Sequence, residues 1–124
     1  MELNQVLIVD DSKTSRMITK HCFEIAVYYD TKFFEAEDGL RAVSFLEENK
    51  VDLVLSDLNM PRMDGATFIR KLKSKEKTRA IPVFVISSMG NDLTEQQLRE
   101  QGVQAVIRKP INPEKVIEAL GDLS

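Results

Sequence analysis

The sequence predicts a doubly wound α/β domain with one five-stranded parallel sheet. Three observations predict it: five short apolar runs rich in β-formers, five longer amphipathic segments, and strict alternation of the two along the chain. The first run, Leu3 to Val9, contains Val6-Leu7-Ile8-Val9, and Ser12 to about Ile25 follows it at helical period. Lys32 to Ala36 is a weaker strand signal, followed by a helix from Asp38 to Glu48 that carries Leu40, Val43 and Leu46, with Asp38 as its N-cap. Leu53-Val54-Leu55 precedes a helix from Gly65 to about Lys73 with Phe68, Ile69 and Leu72 as its stripe. Val83 to Ile86 precedes Asp92-Leu93-Thr94-Glu95, which has the form of a capping box and opens a helix ending near Gly102. Ala105-Val106-Ile107 is the last strand. Asn112-Pro113-Glu114 then starts the last helix, with proline at the first helical position and Val116, Ile117 and Leu120 on the apolar stripe. Runs that are apolar throughout, with no polar alternation, fit strands buried on both faces, and right-handed crossovers place the helices on those faces.

Composition narrows the function. The 124 residues suit one domain over positions 1–124, and hydrophobic residues at 43% can supply its core. A chain of this size buries roughly two-thirds of its unfolded surface and needs no disulfide or metal to fold. Cys22 is the only cysteine, which excludes an internal disulfide and a cysteine-based zinc site; its helical spacing from Ile18 and Ile25 reads as a packing position. Net charge is −3, and no aromatic-basic patch points to nucleic acid. The start Met1-Glu2-Leu3-Asn4-Gln5 lacks the cationic and apolar regions of a secretory leader, and no apolar run approaches the roughly 18–20 residues of a membrane span. A cytoplasmic protein is the expectation.

The chemistry is expected beyond the carboxyl ends of the strands, where open parallel sheets bind their ligands. Asp10 and Asp11 follow the first apolar run, Asp57 the third, Ser87 and Ser88 the fourth, and Lys109 with Pro110 the fifth. Taken singly, each has an ordinary reading: an aspartate after a strand is often a cap or turn residue, and a lysine is usually a surface charge. Taken together, three carboxylates, a hydroxyl and an ammonium converge on one edge. Clustered carboxylates repel one another, and a hard divalent cation such as Mg²⁺ relieves that repulsion while leaving positions for phosphoryl oxygens. A carboxylate at neutral pH is already a nucleophile and needs no histidine or cysteine base, so Asp57 can form an acyl phosphate, with Lys109 as a second cation on the phosphoryl group.

Other metal and phosphate motifs fail on residue type. An EF-hand starting at Asp57 would need a ligand at Pro61, glycine at Arg62 and glutamate at Phe68. No glycine-rich run precedes a Lys-Ser or Lys-Thr pair. A haloacid-dehalogenase-type phosphatase places its two aspartates one residue apart after the first strand, whereas Asp10 and Asp11 are adjacent. His21 is the sole histidine, lies in the first helix away from the acidic edge, and reads as a surface or packing residue.

Val9-Asp10-Asp11-Ser12, Glu37-Asp38-Gly39, Asp57-Leu58-Asn59-Met60-Pro61 with Met63-Asp64-Gly65, Ile86-Ser87-Ser88 and Lys109-Pro110 together resemble the receiver domain of two-component response regulators, closely the stand-alone chemotaxis type. The resemblance spans the chain and implies a flavodoxin-like (βα)5 fold. It implies that Asp57 is the phospho-acceptor, and that Asp11, Asp57 and the backbone carbonyl of Asn59 bind Mg²⁺, with Asp10 acting through a bound water. It further implies that Ser87 and Lys109 contact phosphoryl oxygens, that the Lys109–Pro110 bond is cis, and that the donor is a phosphohistidine on a sensor kinase or phosphotransfer protein. Such a protein accepts a phosphoryl group and switches a surface; it is not a turnover enzyme. An output partner is expected on the face of the last two helices, at Gln96, Arg99, Val106 and Arg108. Two departures stand out. Val106 replaces the aromatic residue frequent three positions before the lysine, and Met89 sits two residues after Ser87, where it borders the path of attacking water. A phosphorylation-independent module of the same fold, and a receiver cut from a longer regulator, are the alternatives.

Overall fold

The computed structural model describes residues 3–27, 30–58, 60, 63–88, 92–121 and 123. In chain order the elements are β1 (Gln5–Val9), α1 (Lys13–Ala26), β2 (Lys32–Ala36), α2 (Gly39–Glu48), β3 (Leu53–Asp57), α3 (Gly65–Ser74), β4 (Val83–Ser87), α4 (Asp92–Glu100), β5 (Ala105–Arg108) and α5 (Pro113–Gly121). All strand pairs are parallel, as the alternation predicts, and the order is β2-β1-β3-β4-β5, the flavodoxin-like arrangement that the resemblance implies.

Successive side chains of a strand point to opposite faces, so each apolar run serves two cores. Val6 and Ile8 of β1, Leu53 and Leu55 of β3, and Phe84 and Ile86 of β4 form one cluster with Cys22 and Phe23 of α1 and Val116 and Ala119 of α5. Leu7, Val9, Val54, Val83 and Val85 form the other, under Ala42 and Leu46 of α2, Phe68, Ile69 and Leu72 of α3, and Leu98 of α4. Among the described residues no helix is long and apolar enough to cross a membrane.

Side-chain caps set the helix starts. The Ser15 N–H donates to Ser12 Oγ at 3.2 Å, Arg41 N–H to Asp38 Oδ1 at 2.8 Å, Thr67 N–H to Asp64 Oδ1 at 2.8 Å, and Lys115 N–H to Asn112 Oδ1 at 2.8 Å. The Thr67 backbone bond holds the exposed Asp64 carboxyl below its ordinary range. That cap therefore contributes stability above the ordinary aspartate range and loses it as the pH falls through the lowered value. α4 begins at Asp92, so that residue is helical itself and its side chain lies outside the described residues, while Glu95 pairs with Arg108 and Arg99. Its end comes where Gly102 turns the chain with φ +99°, and the Val103 N–H reaches back to the Leu98 carbonyl at 3.1 Å.

Two expected core positions are on the outside. Leu40 is 47% exposed and Ile117 56% exposed; Ala42 with Leu46, and Val116 with Ala119, do the burying. In α1 the inner face is Arg16, Thr19, Cys22 and Phe23. Cys22 stands at its margin, and Ile18 and Ile25 fall just beyond it in solvent, because a helix on a sheet buries a stripe only slightly wider than 100°.

Candidate functional site

Strand order reverses between β1 and β3: from β1 the chain steps to one side for β2, then crosses to the other for β3. The carboxyl ends of these two strands bound the crevice, and the acidic residues stand there. Asp10 immediately follows β1 and Asp57 ends β3. Asp10, Asp11 and Asp57 each present an oxygen within 4.8 Å of the others. Asp10 and Asp57 are buried, at 4% and 8% exposure, while Asp11 faces solvent. Lys109, just past β5, brings Nζ to 3.8 Å from Asp57 Oδ1 and 4.0 Å from Asp10 Oδ2. Ser87 ends the neighbouring β4 and is buried. The three carboxylates and the Lys109 ammonium thus come together, with Ser87 at the carboxyl end of the next strand. Asn59 and Met89 lie outside the described residues.

Backbone contacts hold each group. The Asp10 N–H donates to the Ala36 carbonyl of β2 at 3.0 Å, and Asp10 Oδ1 accepts the Ser12 N–H at 2.9 Å. Asp57 Oδ1 accepts the Leu58 N–H at 2.8 Å. The Lys109 N–H donates to the Ser87 carbonyl at 2.9 Å, and the Lys109–Pro110 bond is cis. The Lys115 ammonium spans that turn, donating to the carbonyls of Arg108 at 3.0 Å and Pro110 at 2.8 Å. Three carboxylates against one ammonium leave an excess of negative charge in a mostly buried pocket. Oxygen-only donors of this kind suit a hard cation that keeps some of its water, as Mg²⁺ does.

Gly65 allows the Asp57 turn to close. Its N–H donates to the Leu58 carbonyl at 2.9 Å, and an added Cβ would stand 2.7 Å from the Asp57 carbonyl oxygen and 2.8 Å from Leu58 Cα. Both neighbours are backbone, so neither can rotate away. Gly65→Ala should therefore cost about 1–3 kcal/mol, as overpacking does, and displace Asp57 with it. A lowered urea midpoint is the expected measurement.

The family model for the response regulator receiver domain matches residues 6–121. The chain belongs to this family. The receiver is 31% identical over 120 residues to a chemotaxis protein CheY homolog of Campylobacter jejuni, covering 96% of this chain and 91% of that one. It is 35% identical over 111 residues to the cyclic di-GMP phosphodiesterase response regulator RpfG of Xanthomonas campestris, covering 90% of this chain but only 29% of that protein. Among solved structures, chemotaxis response regulator CheY4 of Vibrio cholerae superposes with a TM-score of 0.85 at 25% identity, covering 99% of this chain and all of that one. The Mn²⁺-bound form of response regulator Rcp1 superposes with a TM-score of 0.80 at 25% identity, over 95% of this chain and 90% of that one. The receiver is thus a phospho-accepting signalling domain of the two-component class.

Sequence reasoning passed over Arg16. It is buried beside the site, and its place three residues before Thr19 and seven before Phe23 was the available signal. Cys22 is buried, its thiol is pushed up by desolvation, and Sγ lies 3.8 Å from the Ile111 carbonyl oxygen; it is a packing residue. His21 is exposed on α1. Glu95 holds Arg108 at 3.1 Å and Arg99 at 3.7 Å, and with Val106 and Lys115 these residues line one groove between α4 and α5.

Proposed function

We propose that Asp57 is the phospho-acceptor of this receiver, in a single receiver domain over residues 1–124. The supporting observation is the convergence of the Asp10, Asp11 and Asp57 carboxylates within 4.8 Å of one another, with the Lys109 ammonium 3.8 Å from Asp57. Asp57 attacks the phosphorus of a phosphohistidine on a sensor kinase or phosphotransfer protein. A P–O bond to the carboxylate forms, the P–N bond breaks, and imidazole leaves with the electron pair. Lys109 balances charge on the moving phosphoryl group, and the Ser87 hydroxyl donates to one of its oxygens. Asp11 and Asp57, with the Asn59 carbonyl, would hold Mg²⁺, and Asp10 would act through a water. Bound there, the cation would offset phosphoryl charge in transfer and hydrolysis.

The donor docks where the acceptor is reached. Ile18 of α1, 49% exposed, shares a groove with Ser15, Pro110 and Ile111 directly beside Lys109. The output surface is the α4–β5–α5 face with Gln96, Arg99, Val106 and Arg108, and phosphoryl contacts at Ser87 bias its population. This is a cytoplasmic switch that assists its own phosphorylation and dephosphorylation and turns over no separate substrate. Incubation with a small acyl-phosphate donor and Mg²⁺ should add one acid-labile phosphoryl group by intact mass, and a chelator should suppress it. Absence of any gain with Mg²⁺ present would refute the reading.

A further inference from the structure

We infer that Arg16 is a positioning residue of the metal site, clamping the main chain of Asp10 against edge strand β2 and so setting the aim of the Asp10 carboxylate. The inference rests on the metal reading above.

Arginine is almost never buried unless paired, yet Arg16 is 8% exposed on the inner face of α1. Its guanidinium bonds in two directions. Nη1 donates to the Asp10 carbonyl oxygen at 2.6 Å, and Nε donates to Glu35 Oε1 at 2.9 Å. Glu35 precedes Ala36, whose carbonyl already accepts the Asp10 N–H. A closed circuit results: Asp10 N–H to Ala36, along β2 to Glu35, through the guanidinium, and back to the Asp10 carbonyl. With the Ser12 N–H on Asp10 Oδ1, this residue is held at its amide, its carbonyl and its carboxylate. The Asp57 carbonyl, by contrast, accepts the Ser56 hydroxyl of its own strand at 2.9 Å. Asp57 has the strand ladder of β3 behind it, whereas Asp10 stands one residue beyond β1. A planar fork can serve two acceptors in fixed directions; a lysine ammonium is a point charge without that geometry.

Charge and position make opposite predictions. Arg16→Met removes a positive charge near three carboxylates, which by Coulomb attraction alone would tighten Mg²⁺ binding. Loss of the clamp loosens it. In Arg16→Met/Glu35→Gln the net charge equals that of the wild type, because a neutral pair replaces a neutralised one, so the positional effect stands alone. Glu35 is 42% exposed at its side chain, so water can replace its partner and folding should persist in both variants. Mg²⁺ alone is titrated into the unphosphorylated protein and followed by heteronuclear NMR, with far-UV circular dichroism as the fold check. Both variants should bind Mg²⁺ about tenfold more weakly, the lower end for partners that orient metal ligands. Arg16→Lys, which keeps the charge and loses the fork, should fall on the same side. Unchanged or tighter binding in the double variant would overturn the inference. Asp11→Ala separates the two readings. If it leaves Mg²⁺ affinity unchanged, the metal site itself is wrong; if it weakens binding and the Arg16 variants do not, only the clamp is lost.

Discussion

Asp57→Asn should take up no phosphoryl group from an acyl-phosphate donor under conditions where the wild-type receiver gains one. The change replaces one oxygen by a nitrogen of nearly equal size, and the remaining oxygen can still accept the Leu58 N–H now bound to Oδ1. Folding should therefore survive while the chemistry does not. A neutral amide is a poor nucleophile toward phosphorus, and removing one of three clustered carboxylates also weakens the hold on a divalent cation. Neither effect can be supplied by Asp10, which is fixed by the Ser12 and Ala36 contacts, nor by Asp11, which faces solvent. Intact mass after donor treatment, with a near-native circular dichroism spectrum, tests this directly. Equal uptake by the variant would move the acceptor elsewhere.

The largest stability effect should come from Phe68→Ala. Phe68 is fully buried on α3, in the cluster that seats α2, α3 and α4 on the sheet. Truncating a buried phenylalanine costs about 3–5 kcal/mol, from lost transfer energy and the cavity left behind. That is a large part of the roughly 5–15 kcal/mol that holds a domain folded. The urea midpoint should drop with little change in slope. Ile117→Ala is the internal comparison: at 56% exposure its loss should stay within about 0.5 kcal/mol. Similar losses for both would mean that α5 packs through a different face.

Val116 and Ile117 are adjacent apolar residues on a helix that buries one stripe, and sequence alone assigned both to it. The same excess placed Leu40 inside. Periodicity marks a face only to within a residue's rotation, and it cannot say where the sheet lies beneath the helix. The apolar strands carry the same ambiguity. A run such as Val6-Leu7-Ile8-Val9 declares burial on both sides, but which residues meet α1 and α5 and which meet α2 and α3 depends on the twist and handedness of the whole sheet.

The sequence by itself determined the element order, the parallel sheet, the caps at Asp38 and Asn112, and the gathering of Asp10, Asp57, Ser87 and Lys109. The last followed because strands that all run one way must bring their carboxyl-terminal neighbours to one edge, whatever the packing details. Only the tertiary structure decided the distances, the exposure of Asp11 against the burial of Asp10 and Asp57, the closeness of Gly65 to the Asp57 backbone, and the clamp from Arg16 to Glu35. Arg16 and Glu35 lie nineteen residues apart on different elements, and each looks like an ordinary surface charge in its own segment. Local periodicity carries no information about which distant group a buried charge will find. That pairing is set by desolvation, which forces a buried guanidinium to bond whatever acceptors the fold places within its reach.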